Sequence, residues 1–478
     1  MKTEIKTILF LAAIVVVFLN VTGKADAATY YVSQNDSNAS DANPGTEDLP
    51  WETLKHATLT VVAGDTVIVK EGEYTDENAY NPDRVFQPAS NGILENPIVF
   101  RSEPRWAARI GKNSAGLANW AIDGKSYITI DGFYFYGNLK AIWGDHINLI
   151  NNHMEGGNAI VTLTDPSIVF GITIQAVDYC NLSNNYIHNI VSSGVANHNS
   201  GAIMVFGSGT RASTHNVIKN NTVIINNGSV WNGIGTKGGA INDNIFENNF
   251  ISGVTAGFNG MGSTDEVTDS FRSIIRNNVV IDSNYFIDLD HGARDFEIYN
   301  NTFYDGERFV SAYQVSNTGE KLFNNIGNVS QYFYAWGGYS DPPEPFTTLI
   351  NYSDYNNSYG GYSIFARRTQ SPDLNYGLVE FQSNYSFDLN TIETDPNFIN
   401  PGGTSPEDYK RLGYSSNGRG GAYSSVMGAY ITGNEIIGYS ESATTFRSDV
   451  DNSSVTNTTD ALLTLRNSLG LSMDGPPW

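Results

Sequence analysis

The sequence predicts an all-β solenoid, a parallel β-helix, from three observations: asparagine pairs that recur through the middle of the chain, short apolar strands around them, and glycine and asparagine at the turns. The pairs are Asn151-Asn152, Asn184-Asn185, Asn220-Asn221, Asn248-Asn249, Asn277-Asn278, Asn300-Asn301 and Asn324-Asn325. Their spacing runs from 23 residues (277 to 300) to 36 (184 to 220), the signature of a structural repeat with insertions. In DNIFENNFISG, SIIRNNVVIDS and FEIYNNTFYDG the pair separates two brief stretches rich in Ile, Val, Phe and Tyr. Such stretches fit several short strands per turn better than helices. Asparagine has a physical role at these corners. It tolerates the left-handed backbone of a sharp turn, and its amide can bond the equivalent asparagine one coil away, roughly 4.8 Å along the axis.

The chain opens with Lys2 and Lys6, an apolar run from Ile8 to Val21, and Ala25-Asp26-Ala27. Charged, apolar and small-residue zones in that order predict a cleaved signal peptide over residues 1–27, and hence a secreted, extracellular protein. The run falls short of the roughly 18 apolar residues of a membrane span, so no membrane partner is expected. Lys and Arg number 27 against 50 Asp and Glu, a formal charge of −23, which argues against nucleic acid and anionic membranes as partners. Cys180 is the only cysteine, so the chain has no internal disulfide. Nothing in VDYCNLSNN would activate it, which predicts a buried structural thiol.

The segment TYYVSQNDSNASDANPGTEDLPWETLKHATLTVVAGDTVIVKEGEYTD resembles the opening of secreted right-handed parallel β-helix enzymes that act on polysaccharides. The resemblance implies a short capping helix within Trp51 to Thr60 and a first coil at GDTVIVKEGEYTD. Asp395-Pro396-Asn397-Phe398 reads as the last piece of the coil region, and Asn400-Pro401-Gly402-Gly403 opens a Gly- and Ser-rich stretch. The expected division is a β-helix domain over 28–440 and an appendage over 441–478. The appendage, SDVDNSSVTNTTDALLTLRNSLGL, is similar to one calcium-binding repeat of a dockerin. That similarity implies calcium held by Asp449, Asp451, Ser453, Asn457 and Asp460, at loop positions 1, 3, 5, 9 and 12, with the carbonyl of Val455. Ser453 and Ser454 depart from the usual acid and glycine, and one repeat stands where a full dockerin has two. A cohesin-like or cell-surface partner is the corresponding expectation.

A packed solenoid keeps its chemistry on an outer face, and the fold alone names no reaction. Aligning coils by their asparagine corners stacks SGAIMVFG, NGIGTKGG, AGFNGMGS and FIDLDHGA. Their reactive members are Lys237, Asp288, Asp290 and His291, with Arg294 just beyond and His198 in the coil above. Lys237 ends a Gly-rich strand where a ligand can approach closely, and a lysine disfavoured in its charged form can act as a base. TKGGAINDNIFENNF resembles the catalytic-lysine coil of β-helix polysaccharide lyases, the alginate and chondroitin B lyases among them. The resemblance implies Lys237 as the base in β-elimination from a uronate-containing, alginate- or pectate-like glycan. Phe258 and Asn259 stand where the partner arginine is expected, which leaves that role to Arg272, Arg276 or Arg294, with His291 as the acid.

Two other readings stay open. Asp288 and Asp290 lie two apart on one strand, about 7 Å from each other on the same side, which suits an inverting glycoside hydrolase. Asp265 and Glu266 in GSTDEVTDSF could reach the same face. A non-catalytic glycan-binding solenoid needs only a groove and aromatic rings, for which Trp143, Trp231, Tyr285 and Trp336 are candidates. The expected substrate contacts are His198, Arg272, Arg276, Trp231 and Tyr285, with Lys237, Arg272, Arg276 and Arg294 forming a cationic patch. A monomer is expected.

Overall fold

Two corners per coil set the path of the chain. In the computed structural model, which describes residues 27–74, 87–111, 119–155, 170–190, 200–225, 230–261, 270–290, 292–312, 318–337, 345–360, 364–369, 373–412 and 426–440, the first corner falls on the asparagine pairs. The leading member of each, from Asn151 to Asn324, holds φ between 52° and 58°. The second member faces inward and is fully buried. The sequence pattern suggested one asparagine for both roles; the structure divides them between neighbours.

The inner asparagines form a continuous ladder. The backbone N–H of Asn185 donates to the Oδ1 of Asn221 at 3.0 Å, that of Asn221 to Asn249 at 3.0 Å, and that of Asn249 to Asn278 at 2.8 Å. The pattern continues through Asn301 and Asn325 to Asn356. Each Nδ2 also donates, as Asn221 does to the Leu182 carbonyl at 2.9 Å, so buried polar groups that a corner would strand are bonded. At Asn356 the left-handed position before it is Tyr355, φ 56°.

The coil from Val217 to Ile245 shows the repeat. Val217–Lys219 lies in a 12-stranded parallel sheet, Thr222–Ile224 and Asn232–Lys237 form two legs of a 19-stranded sheet, and Ile241–Asn242 adds to a 4-stranded sheet. Asp243 (φ 56°) then turns the chain to Ile245–Glu247, which pairs in parallel with Val217–Lys219. Thr29–Val32 starts the 12-stranded sheet, and helix Leu54–Thr60, capped by Thr53, closes the first coil. These registers make the molecule a parallel β-helix. Downstream its interior holds an aromatic stack, in which Phe286, Phe309, Phe333 and Phe365 lie at 4.5, 4.6 and 5.5 Å between ring centres. Cys180 is buried, and burial pushes its thiol up to about 12, consistent with an unreactive group.

Beyond the coils the chain turns back. Residues 426–440 run along the outside of the first corner, against the coil direction: Asn300, Asn277 and Asn220 donate their Nδ2 to the carbonyls of Val426, Ala429 and Ile436 at 2.6, 3.0 and 2.5 Å. Met427, Ala429, Tyr430 and Ile437 of this strap pack on Phe250, Val279, Ile281 and Ile326, forming a second apolar core outside the solenoid. Residues 1–26, which include most of the expected signal peptide, and 441–478 lie outside the described residues. No helix among the described residues is long and apolar enough to cross a membrane.

Candidate active face

The second leg of each coil carries the face on which the sequence places its chemistry. Asn232–Lys237 pairs with Gly201–Phe206 on one side and Ala256–Met261 on the other, and Ala256–Met261 pairs with the end of Val279–Asp290. Each of these strands bends once, putting two consecutive residues inward, as Phe286 and Ile287 show. The remaining positions form columns along the axis, in which Thr173, Met204, Asn259 and Ser311 are buried while Lys140, Lys237 and Asp288 are half-buried. One column runs Lys140, Thr173, Met204, Gly235, Asn259, Asp288 and Ser311, and ends through Ala335 at Arg367. In the next, Phe206 pairs with Lys237.

Thr236 pairs with Gly260 and Met261 with Asp290, so the backbones of Lys237 and Asp290 lie two strands apart, about 10 Å, with Asp288 two residues back on the Asp290 strand. The glycines beside Lys237 have local causes. A Cβ on Gly235 would lie 2.7 Å from the Met204 sulfur, and Gly239, at φ 95°, would put one 2.6 Å from the Ser208 carbonyl oxygen. Both Gly238 and Gly239 have positive φ, so the chain turns sharply just after Lys237.

Tyr285 belongs to this face as well. Its phenol is pushed up by burial and by the Asp288 carboxylate, partly offset by the Arg308 guanidinium 5.2 Å from its ring, so it remains a proton donor at neutral pH. Arg308 also approaches the ring of Tyr332 at 5.9 Å, and Arg367 donates to the Tyr332 hydroxyl at 2.5 Å and pairs with Asp373. Sequence reasoning missed Arg308, Tyr332 and Arg367. A signal existed: Tyr285, Arg308 and Tyr332 each stand seven residues after a ladder asparagine, at 278, 301 and 325.

The expected cationic patch is divided. Arg272 stands on the second corner, φ 53°, bonded through Nε and Nη2 to Asp243 at 2.8 Å. Arg276 lies on the 12-stranded sheet, held by Glu247 at 2.6 Å and by the Tyr299 hydroxyl at 3.0 Å. Neither shares the strip of Lys237, because the outward side chains of that sheet look away from the second leg. Arg294 ends Ala293–Arg294 in the 4-stranded sheet, past the turn that follows Asp290. Trp231 precedes the Lys237 strand, its backbone N–H donating to Ser200 at 3.3 Å. Trp143 is exposed on a left-handed corner, whereas Trp336 is buried in the interior and cannot stack on a sugar. His198, His291, Asp265, Glu266 and the calcium-loop residues Asp449, Asp451, Ser453, Val455, Asn457 and Asp460 lie outside the described residues, as does the side chain of Asp290.

No family model matches the chain, and no curated protein sequence matches it. Among solved structures it is similar to pectate lyase Pel9A (15% identity, TM-score 0.49, covering 85% of this chain and 97% of that one). It is similar also to a rhamnogalacturonan lyase (14%, 0.47, 82% and 96%) and to a GH136 lacto-N-biosidase from Eubacterium ramulus (13%, 0.38, 77% and 67%). The fold itself is read from the strand register, and that register is of a parallel β-helix.

Proposed function

We propose that the protein is an extracellular polysaccharide lyase that cleaves a uronate-containing, alginate- or pectate-like glycan by β-elimination, with Lys237 as the base. The observation that supports this most is the register that sets Lys237 two strands from Asp288, both half-buried, with Tyr285 and Arg308 on the same second leg. The Lys237 amine takes the C5 proton of a uronate, a C4–C5 double bond forms, and the C4–O bond breaks. His291, as the imidazolium, returns a proton to the leaving oxygen. Arg308 and Tyr285, further along the strip, hold a neighbouring sugar unit by its carboxylate and ring.

Among the described residues no group of three or more His, Cys, Asp or Glu could hold a metal ion. Calcium is proposed only for the loop from Asp449 to Asp460, as part of a tether to a cohesin-like or surface partner, and no step passes through it.

The test is a panel of alginate, pectate and glycosaminoglycans, followed by the ultraviolet absorbance of unsaturated uronates. Lys237→Ala is expected to lower the rate roughly 10²–10⁴-fold. If Lys237→Ala keeps most of the cleavage and Asp288→Asn or Asp290→Asn abolishes it, with reducing ends rising and no absorbance, the enzyme is an inverting hydrolase. Binding without cleavage across the whole panel leaves a glycan-binding solenoid.

A further inference from the structure

The outer surface of the first leg changes character along the axis. Downstream, Phe250, Val279, Ile281 and Ile326 are sealed by the strap. Upstream, the equivalent outward positions are Tyr134, His153 and Tyr186 in one column and Tyr136, Glu155 and His188 in the next. Among the described residues the strap reaches this region with Tyr439, whose ring lies 5.2 Å from Trp106 and 5.9 Å from Tyr186, and with Ser440, bonded to Asn184. What it leaves is a half-buried aromatic shelf on a different leg from Lys237.

We propose that this shelf is a second carbohydrate site, which binds a uronate unit of an acidic glycan independently of the Lys237 face. Three features converge on that chemistry. Trp106, Tyr134 and Tyr186 are half-buried aromatic side chains grouped together, the kind of surface against which a pyranose packs. Arg109 is exposed, with its guanidinium 5.5 Å from the centre of the Tyr134 ring, a cation at the edge of the shelf in a chain of formal charge −23. It is suited to a sugar carboxylate. Arg105 adds a second cation over Trp106 at 4.9 Å.

The polar groups between the rings suit sugar hydroxyls. The Nε2 atoms of His153 and His188 meet at 2.5 Å, and the Tyr134 hydroxyl donates to Glu155. Burial, then the charges of His188 and Arg109, hold His153 down to about 4, and burial lowers His188 too. Both rings are thus neutral at neutral pH, each with one donor and one acceptor. The Nδ1 of His153 is buried with no hydrogen-bond partner among the described residues, a polar atom the fold leaves unmet.

The experiment is calorimetric titration of full-length Lys237→Ala protein with uronate trisaccharides and, as the uncharged control, cellotriose. Uronate binding should weaken roughly tenfold or more in Arg109→Gln and in Tyr186→Ala, with the unfolding midpoint of Arg109→Gln unchanged. Affinity unaltered by both substitutions overturns the proposal, as does equal binding of cellotriose. So does a loss confined to Arg308→Gln, which would put the only site on the Lys237 face. Cleavage by the Lys237→Ala protein would reject Lys237 as the base while the titration still decided the shelf.

Discussion

Adjacent asparagines in this chain respond differently to substitution. Asn249 accepts from the backbone and side-chain nitrogens of Asn221 and donates to Ile218 and Asn278, all near 3.0 Å and all buried. Asn249→Ala leaves several of those groups unmet and should cost about 3 kcal/mol or more, read as a lower urea midpoint. Asn248→Gly keeps the left-handed corner and should cost well under about 1 kcal/mol. A second residue-scale effect is a pH dependence. Burial raises Asp388 to about 6 despite donors from Thr391, Asn356 and Ser353 at 2.6, 3.1 and 3.0 Å. Its folded pKa lies above the unfolded value of about 3.9, so its stabilisation is complete below that pH and is lost as the pH rises through about 6. Asp388→Asn should flatten the fall in unfolding midpoint between about pH 4 and 7. The first corner was legible in the sequence because asparagine tolerates positive φ, whereas the second was not, since Tyr179, His215, Asp243 and Arg272 take the left-handed position there. Arg308 was not, because a lone arginine in GERFVSAY reads as an ordinary solvated side chain until the column above it is known.

At the scale of elements, the strap is the feature that sequence periodicity could not reveal. Its apolar residues, Met427, Ala429, Tyr430 and Ile437, follow no strand or helix period, since what they match is the spacing of coils and not their own backbone. A trace of it did exist in the coils. Val279-Val280-Ile281 is apolar on both faces of its strand, as expected where each face is covered. Ile437→Asp would place a charge against Phe250 and its neighbours, and should lower the thermal midpoint and raise dye binding to exposed apolar surface. An unchanged midpoint would mean that the strap lies loosely on the coils. The second-leg strip was legible for the opposite reason: Lys237, Asp288 and Asp290 keep their register because the strands that carry them belong to one ladder, with Ala256–Met261 between them. Arg272 and Arg276 are close to them in sequence, but a corner and a change of sheet intervene.

For the whole molecule, a solenoid ordinarily bonds each coil only to the next, so its stability is a sum of neighbour terms. The strap departs from this by linking coils far apart in the stack, from Asn324, which accepts from the Gly428 N–H at 2.7 Å, to Asn184, which accepts from the Ser440 N–H at 2.8 Å. The fold class followed from the repeat alone, whereas the link between distant coils depends on a segment that carries no repeat. Its path also sets an orientation. Ser440 sits among the upstream coils, beside the Trp106 shelf, although its place in the sequence lies beyond the last one. If residues 441–478 moor the protein to a surface, the tether leaves the side of the rod near its middle, at the sixth of the twelve strands of the long sheet.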